Sequence, residues 1–146
     1  MGRPFVYLEE EMPVQSIDHI GIAVRDLQAA IAAYEKVLGG NYQRESLPER
    51  HLEVAFFAVG ESRIELLMPT SPESAVSGFL EKRGEGLHHV AYRVDNCAAA
   101  LEQARAAGLR LIDEFPRPGA HGTRVAFVHP AGMHGVLTEF VERAEG

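Results

Sequence analysis

The chain has one cysteine, Cys97, in 146 residues. That scarcity excludes a disulfide framework and a thiolate metal site, and makes a reducing, cytoplasmic location the expectation. Long apolar runs are also missing. The longest are strand-sized, so no segment is expected to span a bilayer. Positive charge is scarce too: 14 Lys and Arg stand against 21 Asp and Glu, a net charge of −7. With no basic cluster, that balance argues against a nucleic-acid partner. The opening MGRPFVYLEEEMPV has three consecutive acids and no apolar h-region, and does not read as a signal peptide. Residues 1–15 read as an N-terminal arm and residues 143–146 as a tail. Cys97, just after Asp95-Asn96 at a helix start, reads as a small buried hydrophobe.

What the chain does have is a globular composition, 46% hydrophobic and 24% charged, and an internal repeat. IDHIGIAVRDLQAAIAAYEKVLGG, from Ile17, aligns without a gap on LHHVAYRVDNCAAALEQARAAGLR, from Leu87, at an offset of 70 residues. His19 meets His89, Val24 meets Val94, and Asp26 meets Asn96. In each copy an alternating strand runs into an Asp or Asn that suits a helix N-cap. Apolar residues then recur at helical spacing: Leu27, Ile31, Tyr34 and Leu38 in one copy, Cys97, Leu101 and Ala104 in the other. Glycines close both helices.

Strand candidates follow each helix. They are residues 54–59 and 63–69 in the first half, and LRLIDEF (109–115), TRVAFVHP and GVLTEFVE in the second. Each half therefore reads as a βαβββ module, the first over 16–69 and the second over 87–142. Residues 70–86 form a linker with one short helix. The fold expected is α+β, a single domain over 16–142. Its two paired modules would form a curved, mixed and mostly antiparallel sheet around a metal-binding cleft, with helices outside.

A strand sends successive side chains to opposite faces. His19 thus shares a face with the small residues Gly21 and Ala23, and the apolar set Ile20, Ile22 and Val24 takes the other. His89 lies on the matching face of its strand. His88 falls with Val90, Tyr92 and Val94, where the first half has Asp18, and reads as core. In the final strands the stretches RIELL and LTEFV each carry one acid, Glu65 and Glu139, flanked by apolar neighbours. Two imidazoles and two carboxylates from four strands make an N₂O₂ site for a divalent metal. Co²⁺, Mn²⁺, Ni²⁺, Zn²⁺ and Mg²⁺ all suit such donors. Four protein ligands leave two adjacent positions of an octahedron for vicinal oxygens of a substrate. That arrangement suits removal of an α-proton, because the metal stabilises the developing enolate oxygen.

At these residues the chain resembles the vicinal oxygen chelate (glyoxalase) superfamily, and within it the methylmalonyl-CoA epimerases. The motifs that carry the resemblance are IDHIGIAV, VAFFAVGESRIELLMPTSPES, FLEKRGEGLHHVAYRVD and PRPGAHGTRVAFVHP with GVLTE. The resemblance implies interconversion of (R)- and (S)-methylmalonyl-CoA, a divalent metal that is often cobalt, an acyl-CoA substrate and a homodimer. It puts metal ligands at His19, His89 and Glu139, with Glu65 at a fourth position where some members carry Gln.

A glutamate proposed as a base in some epimerases is matched here by Val54, and alternation turns the neighbouring Glu53 the other way. Repeat symmetry then offers Glu139 and Glu65 as the two acid/base groups, with Glu49 and Glu53 in reserve. HPK becomes His129-Pro130-Ala131, which removes a cation. The alternative activities are a glyoxalase I-like lactoylglutathione lyase, which a ligand set of two histidines and two glutamates allows, and a non-catalytic small-molecule-binding module. His51, His121, His129 and His134 read as solvated turn residues, with His121 in a Gly-rich loop that can close over a substrate.

Overall fold

The computed structural model describes residues 14–144. Most of the expected arm (1–13) and the end of the expected tail (145–146) lie outside the described residues. Two compact units form, one of residues 18–91 and one of residues 92–144 with the stretch 14–17.

The unit of residues 18–91 holds most of β1 (Val14–Ala23), then α1 (Leu27–Leu38), β2 (Tyr42–Leu47), β3 (Leu52–Val59), β4 (Ser62–Pro69) and α2 (Ala75–Arg83). It ends in the first part of β5 (Gly86–Val94). Its strands lie in the order β2-β3-β4-β1-β5. β1 pairs with β4 in parallel, and β3 is antiparallel to both β2 and β4.

Alternation along the strands divides the apolar residues as the sequence predicts. Ile22, Val24, Ala55, Phe57 and Leu66 pack against Leu27 and Ile31 of α1. Ala23, Leu52, Val54 and Leu67 face the other way and pack with Val76 and Leu80 of α2. Helix α1 starts where the Asp26 carboxylate accepts the Ala29 N–H, and stops at Gly39, whose φ of 90° a side chain would oppose. α2 is the short helix expected in the linker.

The second unit holds the end of β5, α3 (Cys97–Ala106), β6 (Arg117–Pro118), β7 (Arg124–Val128) and β8 (Leu137–Glu142). Its strand order is β5-β8-β7-β6. Asn96 caps α3 by accepting the Ala99 N–H, as Asp26 caps α1 seventy residues earlier. Cys97 is fully buried beneath Val94, Ala100, Leu101 and Ala126. Burial first, then the nearby Glu142 carboxylate, pushes its thiol up to about 11. The reading as a small hydrophobe holds.

Both βαβββ modules are present, so the α+β fold with a mixed sheet is as expected, but two strands differ in detail. β2 is the second strand of the first module, and its polar Gln43, Arg44, Glu45 and Ser46 hid it from an apolar-pattern reading. The regular strand expected at 109–115 is replaced by an isolated bridge, Leu111 to Val128. The cause is Asp113. Its carboxylate accepts the Phe127 N–H at 2.8 Å, while the N–H groups of Ile112 and Asp113 both donate to the Phe127 carbonyl. Two residues thus oppose one, which breaks the ladder as a bulge does. Only Arg117–Pro118 pairs regularly there. No helix among the described residues is long and apolar enough to cross a membrane.

Candidate metal centre

His19 on β1 and His89 on β5, both in the unit of residues 18–91, carry the candidate centre, and Glu65 on the neighbouring β4 stands outside the group of ligand atoms that His19, His89 and Glu139 form. Parallel pairing sets His19 opposite Arg63 and Gly21 opposite Glu65, so these four residues share one face. His19 and His89 are buried, at 7% and 5% exposure. The His89 ring lies directly over Gly21, where a Cβ would stand 2.6 Å from its Nδ1. Glycine is therefore required at position 21 by close approach rather than by backbone angle. Gly21→Ala is expected to push the His89 ring out of place, costing about 1–3 kcal/mol of stability for overpacking and weakening metal binding with it. Thermal unfolding and metal titration of the variant check both.

The two histidines meet through Nε2, 3.0 Å apart. Each has its other ring nitrogen engaged. Asp18 Oδ2 lies 2.7 Å from His19 Nδ1, and His88 Nδ1 lies 3.0 Å from His89 Nδ1. A ring that donates from Nδ1 keeps its Nε2 lone pair for a metal, and a carboxylate behind an imidazole fixes that tautomer. Metal–imidazole bonds of about 2.0–2.1 Å at a right angle put two nitrogens about 3 Å apart. The observed Nε2 separation fits two adjacent ligands of one ion.

Two residues that sequence reasoning set aside prove to back this pair. Asp18, at 1% exposure, turns back to His19 although alternation sends its Cβ the other way. His88 is only half-buried. Its ring packs edge-on against Phe79 while its Nδ1 reaches His89. The signal was in the repeat, which places Asp18 and His88 at the same register, each one residue before a candidate ligand.

Glu65 is buried at 8% exposure. Its Oε2 lies 3.0 Å from Arg63 Nη2 and 3.6 Å from His19 Nδ1. Glu139, on β8 of the other unit, is buried at 5% and pairs in register with Phe127. Val54 is buried in the apolar cluster with Ala23 and Leu67, so the position of the proposed family base carries no acid. Glu53 is half-buried on the opposite side of β3, as alternation predicts, and Glu49 is exposed in the turn Pro48–Arg50. His129 caps the turn after β7 by accepting the Ala131 N–H, and His51 stands 3.8 Å from Glu73. His121 and His134 are exposed, with positive φ.

An α+β fold of paired βαβββ modules with buried histidines at matching positions defines a class. Residues 18–127 match the Glyoxalase/Bleomycin resistance protein/Dioxygenase superfamily, and the chain belongs to it. It is 42% identical over 127 residues to an uncharacterized protein of Bacillus subtilis, covering 86% of this chain and 91% of that one. It is 38% identical over 126 residues to the ethylmalonyl-CoA/methylmalonyl-CoA epimerase of Cereibacter sphaeroides, covering 84% of this chain and 94% of that protein. Among solved structures it is similar to a methylmalonyl-CoA epimerase in complex with methylmalonyl-CoA and NH₄⁺. The TM-score is 0.83 at 38% identity, covering 90% of this chain and 96% of that one.

Proposed function

We propose that the chain is a metal-dependent methylmalonyl-CoA epimerase, acting as a cytoplasmic homodimer in propionate metabolism. The observation that carries the proposal is the facing pair of buried imidazoles, each backed at Nδ1, in a chain with epimerase relatives across most of its length. His19, His89 and Glu139 would hold the ion, and each offers a buried ligand atom. Glu65 would be the fourth ligand, with Co²⁺ the metal first in line. When bound, the ion supplies Lewis acidity to the oxygen that gains charge as the α-proton leaves.

The protein's own residues divide the remaining work. Epimerisation needs a proton taken from one face of the α-carbon and another delivered to the opposite face. Glu139 and Glu65 are the two carboxylates for these roles. Ligation would lower a carboxylate's basicity, so the one that removes the proton would act while not held by the ion. Asp18 and His88 hold the two imidazoles in orientation throughout.

A second reading, lactoylglutathione lyase, rests on Glu65, an all-carboxylate complement to the two histidines. Turnover of one methylmalonyl-CoA epimer, compared with turnover of the methylglyoxal–glutathione hemithioacetal by the same Co²⁺-loaded protein, tests the proposal. Conversion of the first and inertness towards the second is the expected result. The reverse pattern would transfer the protein to the second reading.

A further inference from the structure

The Arg63 guanidinium lies over the Phe56 ring, its central carbon 4.8 Å from the ring centre. The edge carrying Nε and Nη2 is the one that grips a carboxylate side-on, with two parallel N–H···O bonds. Here only half of that grip is made. Nη2 is 3.0 Å from Glu65 Oε2, whereas Nε is buried and has no hydrogen-bond partner among the described residues. The same Glu65 oxygen lies 3.6 Å from His19 Nδ1, so the carboxylate sits between the arginine and the backed side of the histidine, outside the group of ligand atoms formed by His19, His89 and Glu139. Glu65 and Arg63 occupy successive same-face positions of β4, and β1 and β3 hold that strand on both sides. The backbone is therefore fixed, and movement between the two neighbours falls to the Glu65 side chain.

We propose that Arg63 is a positioning residue that gives Glu65 a second station. In one station Glu65 would swing from its place beside Nη2 towards the facing Nε2 atoms and complete the metal's ligand set. In the other it turns onto Arg63, engages Nε as well, and is released from the ion with its charge still paired. This inference rests on the metal reading above and explains how one glutamate can be both ligand and base. It also explains why a carboxylate is tolerated where some relatives of this fold carry an amide: the guanidinium offsets the added charge.

The test is a double-mutant cycle read by Co²⁺ affinity, from chelator competition, and by the Co²⁺ absorption spectrum. R63M removes the second station and should hold Glu65 on the ion. Affinity is then expected to rise about tenfold, the low end of what outer-shell partners carry, with a change in the ligand-field bands. In the E65Q background, the same R63M change should alter neither readout. R63K keeps the charge but not the Nε–Nη2 edge, so it should also tighten binding only when Glu65 is present, and it serves if R63M does not fold. Unchanged affinity in R63M, or an equal change in both backgrounds, overturns the second station while leaving the metal centre standing. Failure of the unaltered protein to bind Co²⁺ overturns both.

Discussion

His89→Ala is expected to abolish tight metal binding, because it removes one of two nitrogens that face each other at 3.0 Å. The loss should exceed the roughly 10–100-fold that an outer-shell partner carries. His88→Ala removes the group behind His89 Nδ1 and should fall within that smaller range, with a loss of stability from the Phe79 contact. Asp18→Asn is expected to behave like His88→Ala, since it weakens the carboxylate behind His19 without touching Nε2. Metal analysis and titration of the three purified variants decide the ranking. If His88→Ala lost the metal and His89→Ala kept it, the register of β5 around the site would be one residue out.

The two glutamates should fail in complementary ways. Gln still ligates through its oxygen, so Glu65→Gln and Glu139→Gln are expected to retain metal while losing a proton-transfer group. Epimerisation should fall by about 10²–10⁴-fold in each, the usual worth of a positioned acid or base. Each variant would still take a proton from one face while failing to deliver one to the other. One variant should therefore exchange the α-proton of a single epimer into D₂O without inverting it, and the other should do so with the opposite epimer. Full-rate epimerisation by Glu65→Gln would leave Glu65 a ligand only, and the second base would have to be sought at Glu53, Glu49 or a bound water.

The repeat made much of this legible. An offset of seventy residues with no gap aligned both first strands, both caps and both histidines, because each is set by local alternation and capping chemistry. What escaped was set by partners distant in sequence or by side-chain reach. β2 is polar along most of its length and is a strand because β3 pairs with it. The segment 109–115 has a strand's composition, but the Asp113 carboxylate takes a ladder donor from Phe127. Asp18 does not read as part of the site because alternation puts its Cβ on the other face, whereas its short carboxylate bends back to the neighbouring ring. Arg63 gave no signal at all. Its meaning depends on Glu65 and Phe56, which only the β3–β4 register and the strand's own pleat bring to its side.

The proposed epimerase moves the α-proton of an acyl-CoA between two faces. Proton NMR of the metal-loaded protein in D₂O with a single epimer of methylmalonyl-CoA tests it most directly. The expected record is loss of the α-proton signal as deuterium enters, together with appearance of the other epimer, both lost when the metal is chelated and restored by Co²⁺. An α-proton that stays in place, with one epimer unchanged in the presence of fully loaded protein, would contradict it.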